Sequence, residues 1–353
     1  MEKVLMKGNE ALGEAAIRSG CRHFFGYPIT PQTELSAYLA KKMPKIGGTF
    51  LQAESEIAAI NMVLGAASTG VRAMTSSSSP GISLKSEGVS YIAGSDLPCV
   101  IINVQRGGPG LGGIQPSQAD YWQATKALGH GDFQLLVFAP STVQEMAELV
   151  CDAFNLAETY RMPAMILADG ALGQMMEPVS FDSLPKPLPI EKPWAATGTQ
   201  LKREHNVINS LYLAPDQLER TILDRYARYE IIKEKEPRCE RYMADDAEII
   251  VVAYGLTSRI VKSVVKEARS KGIKAGLIRP ITLWPFPDKA LKEAAGTAKQ
   301  FLVAEMSMGQ MVDDVRLAIE CARPVSFTGR TGGMIPQPQD IMKKIEELAG
   351  GDQ

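Results

Sequence analysis

The stretch "SEIAAINMVLGAASTGVRAMTSSSSPGISLKSEGVSYIAG", residues 55–94, decides the fold class of this chain. Its first part is a helix-length run of small and apolar residues, with Ser55 as a candidate N-cap and Gly70 at its end. A β-rich segment, 71–79, follows, and a second helix then begins with Pro80 in its first turn. A strand between two helices is typical of an α/β sheet whose strands run parallel.

The same alternation extends in both directions from this stretch. The apolar runs "PCVIINVQ" and "FQLLVFA" are typical of parallel strands that are buried on both faces. The other elements predicted here are helices at 9–20, from about 33 and at 142–160, and strands near 22–26, 48–53 and 164–169. Regular alternation of this kind predicts a doubly wound parallel sheet.

A break in the alternation divides the chain. Residues 179–247 are rich in proline and have no period at first, which predicts a linker, and they end in a charged helix or helical pair. The alternation resumes with strands predicted near 248–254, 274–279, 300–305 and 324–328. We therefore predict one α/β domain over 1–178, a linker with a charged helical segment over 179–247, and a second α/β domain over 248–353.

The composition is that of an ordinary globular protein. The 353 residues are 45% hydrophobic and 22% charged, and the net charge of -2 does not point to nucleic acid or an anionic membrane surface as a partner. No apolar run reaches the ~20 residues that span a bilayer. The five cysteines are scattered without a CxxC spacing, which predicts reduced thiols in the cytoplasm and neither a metal site nor an iron–sulfur cluster in this chain.

A proline-bracketed turn, "FFGYPITPQTEL" at 24–35, follows the strand predicted near 22–26. Pro28 and Pro31 fix the backbone around Thr30 in an extended, irregular conformation. Ligands of open α/β sheets bind beyond the carboxyl ends of strands, so this turn is a candidate wall of a binding site. A simple proline turn into a helix is the alternative.

Two acidic residues, Glu54 and Glu56, stand where another strand meets a helix rich in alanine. Acidic residues also favour the first turn of a helix because of its dipole, so their position alone does not require chemistry. We choose Glu56 as the candidate catalytic carboxylate because Gly65 follows it nine residues later within a helix of small residues.

Four motifs in order and at matching spacing identify a family. "GYPITPQTE", "ESEIAAINMVLGAASTG", "TSSSSPGISLKSEG" and "VQRGGPGLGGIQPSQAD" resemble the α subunit of the 2-oxoacid:ferredoxin oxidoreductases, most of all its 2-oxoisovalerate (3-methyl-2-oxobutanoate) branch. The resemblance implies a pyrimidine-binding domain for thiamine diphosphate over 1–178 and a transketolase C-terminal-type domain over 248–353. The implied reaction is the oxidative decarboxylation of a 2-oxoacid with CoA, which yields acyl-CoA and CO₂ and reduces ferredoxin.

The resemblance also implies roles for individual residues. Glu56 matches the glutamate that hydrogen-bonds the pyrimidine nitrogen N1′ of thiamine diphosphate and thereby favours the imino tautomer, which is acid–base work relayed through the cofactor. Tyr27, Pro28 and Ile29, in the turn before Thr30, are the further residues expected to contact the cofactor.

Substrate contacts are implied for Thr30 and for Arg106, whose guanidinium can hold a carboxylate or carbonyl through paired hydrogen bonds. A second carboxylate, as in 2-oxoglutarate, would need a further cation, and the next one along the chain after Arg106 is Lys126. Leu111 and Ile114, in the glycine-rich loop, would instead suit a branched apolar side chain. These residues favour a branched-chain 2-oxoacid, with 2-oxoglutarate as the alternative.

Two departures shape the expected assembly. The family's "SGPG" turn is "SSPG" here, at 78–81, so a close backbone approach at Ser79 is in doubt. The GDG…N motif that binds the metal and the diphosphate is absent, and "ADG" at 168–170 is its nearest counterpart. The resemblance therefore implies a separate β subunit that holds Mg²⁺ and the diphosphate, and small ferredoxin-like and γ subunits, with 4Fe–4S clusters in the partners.

Two other functions remain open from the residues alone. The chain could be the pyrimidine-domain subunit of a lipoyl-linked 2-oxoacid dehydrogenase or a transketolase half, which would have no iron–sulfur partner. It could also be a non-catalytic scaffold that only closes the site of another subunit. In the second case, Glu56→Gln should leave most of the activity intact.

Overall fold

A computed structural model describes residues 3–350 of the chain. Its strands are β1 (Val4–Lys7), β2 (His23–Gly26), β3 (Thr49–Gln52), β4 (Ala73–Ser77), β5 (Cys99–Gln105), β6 (Leu136–Phe138), β7 (Pro163–Asp169), β8 (Met176–Val179), β9 (Cys239–Tyr242), β10 (Ile249–Val252), β11 (Ala275–Pro280), β12 (Thr282–Trp284), β13 (Gln300–Glu305) and β14 (Val325–Gly329). Its α-helices are α1 (Gly8–Arg18), α2 (Thr33–Lys42), α3 (Glu56–Ser68), α4 (Pro80–Gly94), α5 (Val143–Tyr160), α6 (Gly170–Gln174), α7 (Pro215–Lys235), α8 (Gly255–Ser270), α9 (Asp288–Ala295), α10 (Met311–Ala318) and α11 (Pro338–Gly350).

Two open sheets organise the molecule. The first has the order β12-β6-β7-β5-β4-β2-β3, and every pairing in it is parallel except that of β12 with β6. The second has the order β14-β13-β10-β11-β9, in which only β9 runs antiparallel to its neighbour. Helices alternate with the parallel strands of both sheets, so the predicted α/β class with two doubly wound sheets is confirmed.

Local sequence signals explain the elements that matter most. Ser55 caps α3, its side chain accepting a hydrogen bond from the Ala58 amide at 3.2 Å, and Pro80 opens α4. All seven residues of β5 and of β7 are buried, as expected of strands with helices on both faces. The charged segment, predicted as one helix or a pair, is the single helix α7.

Short antiparallel strands were not predicted from the sequence. β1 pairs with β8, more than 160 residues away, and β9 adds an edge to the second sheet from within the predicted linker. β12 leaves the C-terminal region to pair with β6, with Thr282 opposite Phe138. These strands have only three or four residues, and their partners are distant in the chain, so no local pattern marks them. The domain boundaries proposed above stay a prediction.

Along the described residues, no helix combines the length and the apolar character needed to cross a membrane.

Candidate active site at the carboxyl edge of the first sheet

Four neighbouring parallel strands bring the candidate residues to one edge. The strands β5, β4, β2 and β3 lie side by side, so the segments that follow them meet at the same end of the sheet. β2 and β4 are neighbours in the sheet. After β2 the chain moves to β3, on the outer side of β2, whereas after β4 it moves to β5, in the opposite direction. The loops after β2 and β4 therefore diverge at a topological switch point, which is where open α/β sheets bind ligands.

Glu56 lies at this switch point, in the first turn of α3. It is 5% exposed, whereas Glu54 is exposed to solvent. A Cβ atom on Gly81, in α4, would lie 2.6 Å from Glu56 Oε1 and would overlap Ser77 Oγ, so only glycine lets the start of α4 approach this closely. Gly65, whose spacing from Glu56 guided the choice, faces open space: within the described chain, only its own helix comes within 4 Å of where a Cβ atom would lie, so the spacing has no packing role here.

Several buried polar atoms around Glu56 have no hydrogen-bond partner among residues 3–350. They include Ser77 Oγ, which lies against Gly81, and Ser78 Oγ. A buried polar group without a partner is costly, so such a cluster fits a ligand that brings its own donors and acceptors. The polar edge of an aminopyrimidine, with ring nitrogens and an amino group, has this character.

Arg106 lies at the end of β5 and connects two loops of the site. It is 7% exposed; its Nη1 donates to the carbonyl of Thr30 at 2.9 Å and its Nη2 to that of Leu111 at 3.2 Å. Its Nε is buried and has no hydrogen-bond partner in the part of the chain that the structure describes. The structure thus brings Arg106 and the exposed Thr30 together, and these two hydrogen bonds use two of the five N–H donors of the guanidinium.

The turn that contains Tyr27, Pro28 and Ile29 forms the rim of the site. Gln32 closes this turn, because its side-chain amide donates to the Tyr27 carbonyl at 3.3 Å and its oxygen accepts from Ser76 Oγ at 2.6 Å. Pro28 is exposed, while Tyr27 and Ile29 are half-buried. The three residues therefore stand beside the site with surface still open to a second molecule.

A buried network behind Arg106 was missed by sequence reasoning. Ser79 Oγ donates to Asp120 Oδ2 at 2.6 Å and accepts from the Arg106 amide at 3.0 Å, while Asn103 Nδ2 donates to Asp120 Oδ2 at 2.9 Å. Burial raises the pKa of Asp120, although the hydrogen bonds from Ser79 and Asn103 partly oppose it. The "SSPG" departure was the one available signal, since Ser79 takes a φ of +21°.

The loop that begins at Arg106 is anchored to the second sheet by Gln118. The side-chain amide of Gln118 donates to the Tyr254 carbonyl at 2.9 Å, and its oxygen accepts from Thr257 Oγ1 at 2.8 Å and from the Met306 amide at 2.9 Å. All three partners come from the C-terminal region. The second domain therefore fixes the far end of the site loop.

The residues considered for substrate choice have different environments. Lys126 forms an ion pair of 2.6 Å with Asp314, so its charge is already matched within the chain. Leu111 and Ile114 are 84% and 58% exposed. An apolar pocket made by these two side chains would therefore need a further surface to close it.

Asp169, of the "ADG" sequence, serves the fold. Its Oδ1 accepts from the amides of Ala171 and Leu172 at 2.9 and 3.1 Å and so caps α6. Complete burial raises the pKa of Asp169 to about 6, and backbone hydrogen bonds oppose the shift. No group of three or more His, Cys, Asp or Glu side chains is placed to hold a metal ion in the described part of the chain.

Comparison with known proteins covers nearly the whole chain. The profile of the family described as pyruvate flavodoxin/ferredoxin oxidoreductase, thiamine-diphosphate-binding, matches residues 14–250, and that of pyruvate:ferredoxin oxidoreductase core domain II matches residues 247–341. The ketoisovalerate oxidoreductase subunit VorB of Methanothermobacter marburgensis is 47% identical over 99% of each chain. The 2-oxoglutarate synthase subunit KorA of Methanocaldococcus jannaschii is 37% identical over 98% of this chain and 100% of its own.

Solved structures agree with these matches. The 2-oxoglutarate:ferredoxin oxidoreductase of Magnetococcus marinus, determined with 2-oxoglutarate, coenzyme A and succinyl-CoA bound, superposes with a TM-score of 0.87 at 26% identity. The superposition covers 98% of this chain and 65% of that one. A split-gene transketolase shares the fold, with a TM-score of 0.61 at 14% identity. The chain described here belongs to the 2-oxoacid:ferredoxin oxidoreductase family.

Proposed function

We propose that this chain supplies the pyrimidine half of a thiamine diphosphate site and the substrate-binding residues of a branched-chain 2-oxoacid:ferredoxin oxidoreductase. One observation carries the proposal: Glu56 is buried at a topological switch point, against Gly81 and beside unpartnered polar atoms such as Ser77 Oγ. A carboxyl group held in such a place is suited to exchanging a proton with a ring nitrogen.

The chain's own residues have separate tasks in this proposal. Thiamine diphosphate, when bound, supplies the electron sink that decarboxylation of a 2-oxoacid requires. Glu56 holds or releases the proton at the pyrimidine nitrogen N1′. Arg106 binds the carboxylate or carbonyl of the 2-oxoacid through guanidinium N–H groups that its bonds to Thr30 and Leu111 leave unused. Thr30 stands on the facing turn, and Tyr27, Pro28 and Ile29 border the cofactor.

The substrate we propose is 2-oxoisovalerate or a similar branched 2-oxoacid. Lys126 forms an ion pair with Asp314, so the structure does not favour Lys126 as a partner for a second substrate carboxylate. Leu111 and Ile114 offer apolar surface close to Arg106. The identity of 47% to a ketoisovalerate oxidoreductase subunit, against 37% to a 2-oxoglutarate synthase subunit, supports the same choice.

The remaining half of the site is proposed to come from partners. Large apolar side chains are exposed on and near the site, a surface that a neighbouring subunit would cover: Leu51, Ile57, Leu111, Ile114, Trp122 and Met308. We assign Mg²⁺ and the diphosphate to a β subunit and 4Fe–4S clusters to partner subunits that include small ferredoxin-like and γ subunits. CoA is the acyl acceptor, ferredoxin the electron acceptor, and the cytoplasm the compartment, in keeping with five free cysteines.

The proposal is tested with the copurified complex under anaerobic conditions. CoA-dependent reduction of a viologen dye is measured with 2-oxoisovalerate, 2-oxoglutarate and pyruvate, and we expect the highest kcat/KM for 2-oxoisovalerate. Glu56→Gln should lower kcat by about 100-fold or more, because general acid–base groups contribute on that order. The neighbouring Glu54→Gln is the matched control and should stay within about twofold of wild type.

Each outcome has a definite meaning. A preference for 2-oxoglutarate would overturn the assignment of substrate and keep that of mechanism. A Glu56→Gln complex with most of its activity would identify the chain as a scaffold. An intact, iron-containing complex that reduces the dye with none of the three acids would contradict the whole proposal.

A further inference from the structure

The contact between α3 and α4 is unusually close on one side of α4. A Cβ atom on Gly81 would lie 2.6 Å from Glu56 Oε1, and a Cβ atom on Gly88 would overlap the side chain of Ile60. Residues three or four apart share one face of a helix, so Lys85 lies on the same face as both glycines. The two glycines and Lys85 form what we call the α3–α4 seam.

Lys85 is the anomaly of this seam. Its side chain is fully buried, with 0% exposure, and its Nζ has no hydrogen-bond partner among the described residues. Lysine is almost never fully buried unless it is paired, because removing an ammonium group from water is costly. A methionine or leucine would fill the same space without that cost, so packing alone does not explain the residue.

Charge provides the explanation. Gly81, one turn before Lys85 on the same face of α4, packs against Glu56 Oε1, so the buried ammonium and the carboxylate belong to one helix contact. Burial lowers the pKa of Lys85 to about 8, and the Glu56 carboxylate opposes that shift. At neutral pH the side chain therefore keeps its proton. The other charged groups at the start of α4, Asp120 and Arg106, act on each other, and β4 contributes only neutral hydroxyls such as that of Ser77.

We propose that Lys85 is a positioning residue for Glu56: its buried ammonium stabilises the ionised carboxylate and holds it at the start of α3. This inference rests on the proposed function, because it concerns the charge of Glu56, the carboxyl group that we propose contacts the pyrimidine ring. Activity is therefore expected to depend on the charge of Lys85 and not on its volume.

Lys85→Met in the copurified complex tests the proposal, since methionine keeps the length of the stem and removes the charge. Stability and function should then change in opposite directions. We expect an unchanged or higher Tm, together with a kcat at least tenfold lower at pH 7 and a KM for the 2-oxoacid within twofold of wild type. The acid limb of the kcat profile should move to higher pH, because the carboxylate loses its cation.

Stability measured without cofactor gives an independent readout. In wild type, the pKa of Lys85 is lower in the folded chain than in the unfolded chain. The free energy of unfolding is therefore reduced at any pH at which the unfolded chain keeps this lysine protonated. The stability advantage of Lys85→Met should be full at pH 7 and should shrink as the pH rises above about 8, where the lysine can fold uncharged. Lys85→Gln is made in parallel, in case the methionine variant does not assemble.

Lys192→Met is the matched control at the opposite end of α3. Lys192 donates to the Gly70 carbonyl at 2.7 Å and is paired with Glu158, so this variant should lose stability and keep its pH profile. A Lys85→Met complex with lower Tm and the wild-type pH profile would overturn the positioning role. If Glu56→Gln is inactive while both Lys85 variants match wild type, only this inference fails; if Glu56→Gln is active, the proposed function fails with it.

Discussion

Ser79, in the candidate site, has a backbone conformation that residues other than glycine rarely adopt, with a φ of +21° and a ψ of -80°. Its hydroxyl bridges Asp120 and the amide of Arg106, and its own amide donates to Asn103 Oδ1 at 3.1 Å. Strained residues persist where surrounding bonds hold them, and they cluster at functional sites. The hydroxyl therefore has a task that glycine, the residue of the family's turn, could not perform.

Substitutions of Ser79 separate the strain from the hydrogen bonds. Ser79→Ala should lower the free energy of unfolding by about 1–3 kcal/mol, because the Arg106 amide loses its buried acceptor and the strain stays. Ser79→Gly loses the same bonds but relieves the strain, so it should be more stable than alanine by about 1 kcal/mol. Both should raise the KM for the 2-oxoacid several-fold by loosening Arg106.

Ser86→Ala is the control for Ser79, because the half-buried Ser86 hydroxyl donates only to the Ser83 carbonyl of its own helix, at 2.8 Å. Its free energy of unfolding should differ from wild type by less than about 0.5 kcal/mol. Equal stability of Ser79→Ala and Ser79→Gly would show that the backbone at this position is not strained.

At the scale of elements, the first turns of α3 and α4 form the site together. Both helices begin at the carboxyl edge of the sheet, and Gly81 allows the first turn of α4 to contact Glu56. Helix α4 thus contributes small residues at the start of the contact and a buried cation, Lys85, one turn later.

Gly81→Ala tests the role of this contact. The added methyl group would overlap Ser77 Oγ and displace the Glu56 carboxylate, so we expect a loss of about 1–3 kcal/mol in stability and of at least about tenfold in kcat. Gly65→Ala in α3 is the control, because a methyl group there would lie more than 4 Å from every described residue outside its own stretch of helix.

Alanine is the better helix former, so Gly65→Ala should raise the stability by up to about 1 kcal/mol and leave kcat unchanged. Thermal unfolding and steady-state kinetics of the same complexes measure both quantities. A Gly81→Ala complex with wild-type kinetics would contradict the close packing described here.

At the scale of the whole molecule, the second domain supports the site of the first. β12 extends the first sheet beside β6, and Gln118 connects the site loop to Tyr254, Thr257 and Met306. The loop that carries Arg106 is consequently fixed at one end by its own strand and at the other by the C-terminal region.

Gln118→Ala removes all three of these side-chain bonds. We expect a loss of about 3 kcal/mol in the free energy of unfolding, because buried groups on both sides are left unpaired. Hydrogen exchange of residues 107–118 should become faster, and the KM for the 2-oxoacid should rise. Gln217→Ala, at an exposed position of α7, should change none of these, and unaltered exchange in the Gln118 variant would contradict the anchoring role.

Local patterns made the parallel strands and the main helices predictable from the sequence. Apolar runs, caps and glycine stops define β4, α4 and β5 within a few residues, because each of these signals acts between near neighbours. The strand ends, in turn, predict that the segments carrying Thr30, Glu56 and Arg106 share one edge of the sheet. Their assigned roles came from the family resemblance and stay proposals.

Tertiary structure alone decided the rest. The pairing of β1 with β8 and the passage of β12 into the first sheet join segments that are far apart in the chain. The burial of Lys85, the conformation of Ser79 and the anchoring by Gln118 depend on such distant contacts, which no window of local sequence contains. In the sequence alone, a lysine predicts a solvent-exposed charge. The packing of α4 against α3 buries Lys85 and places it on the same helix contact as Glu56.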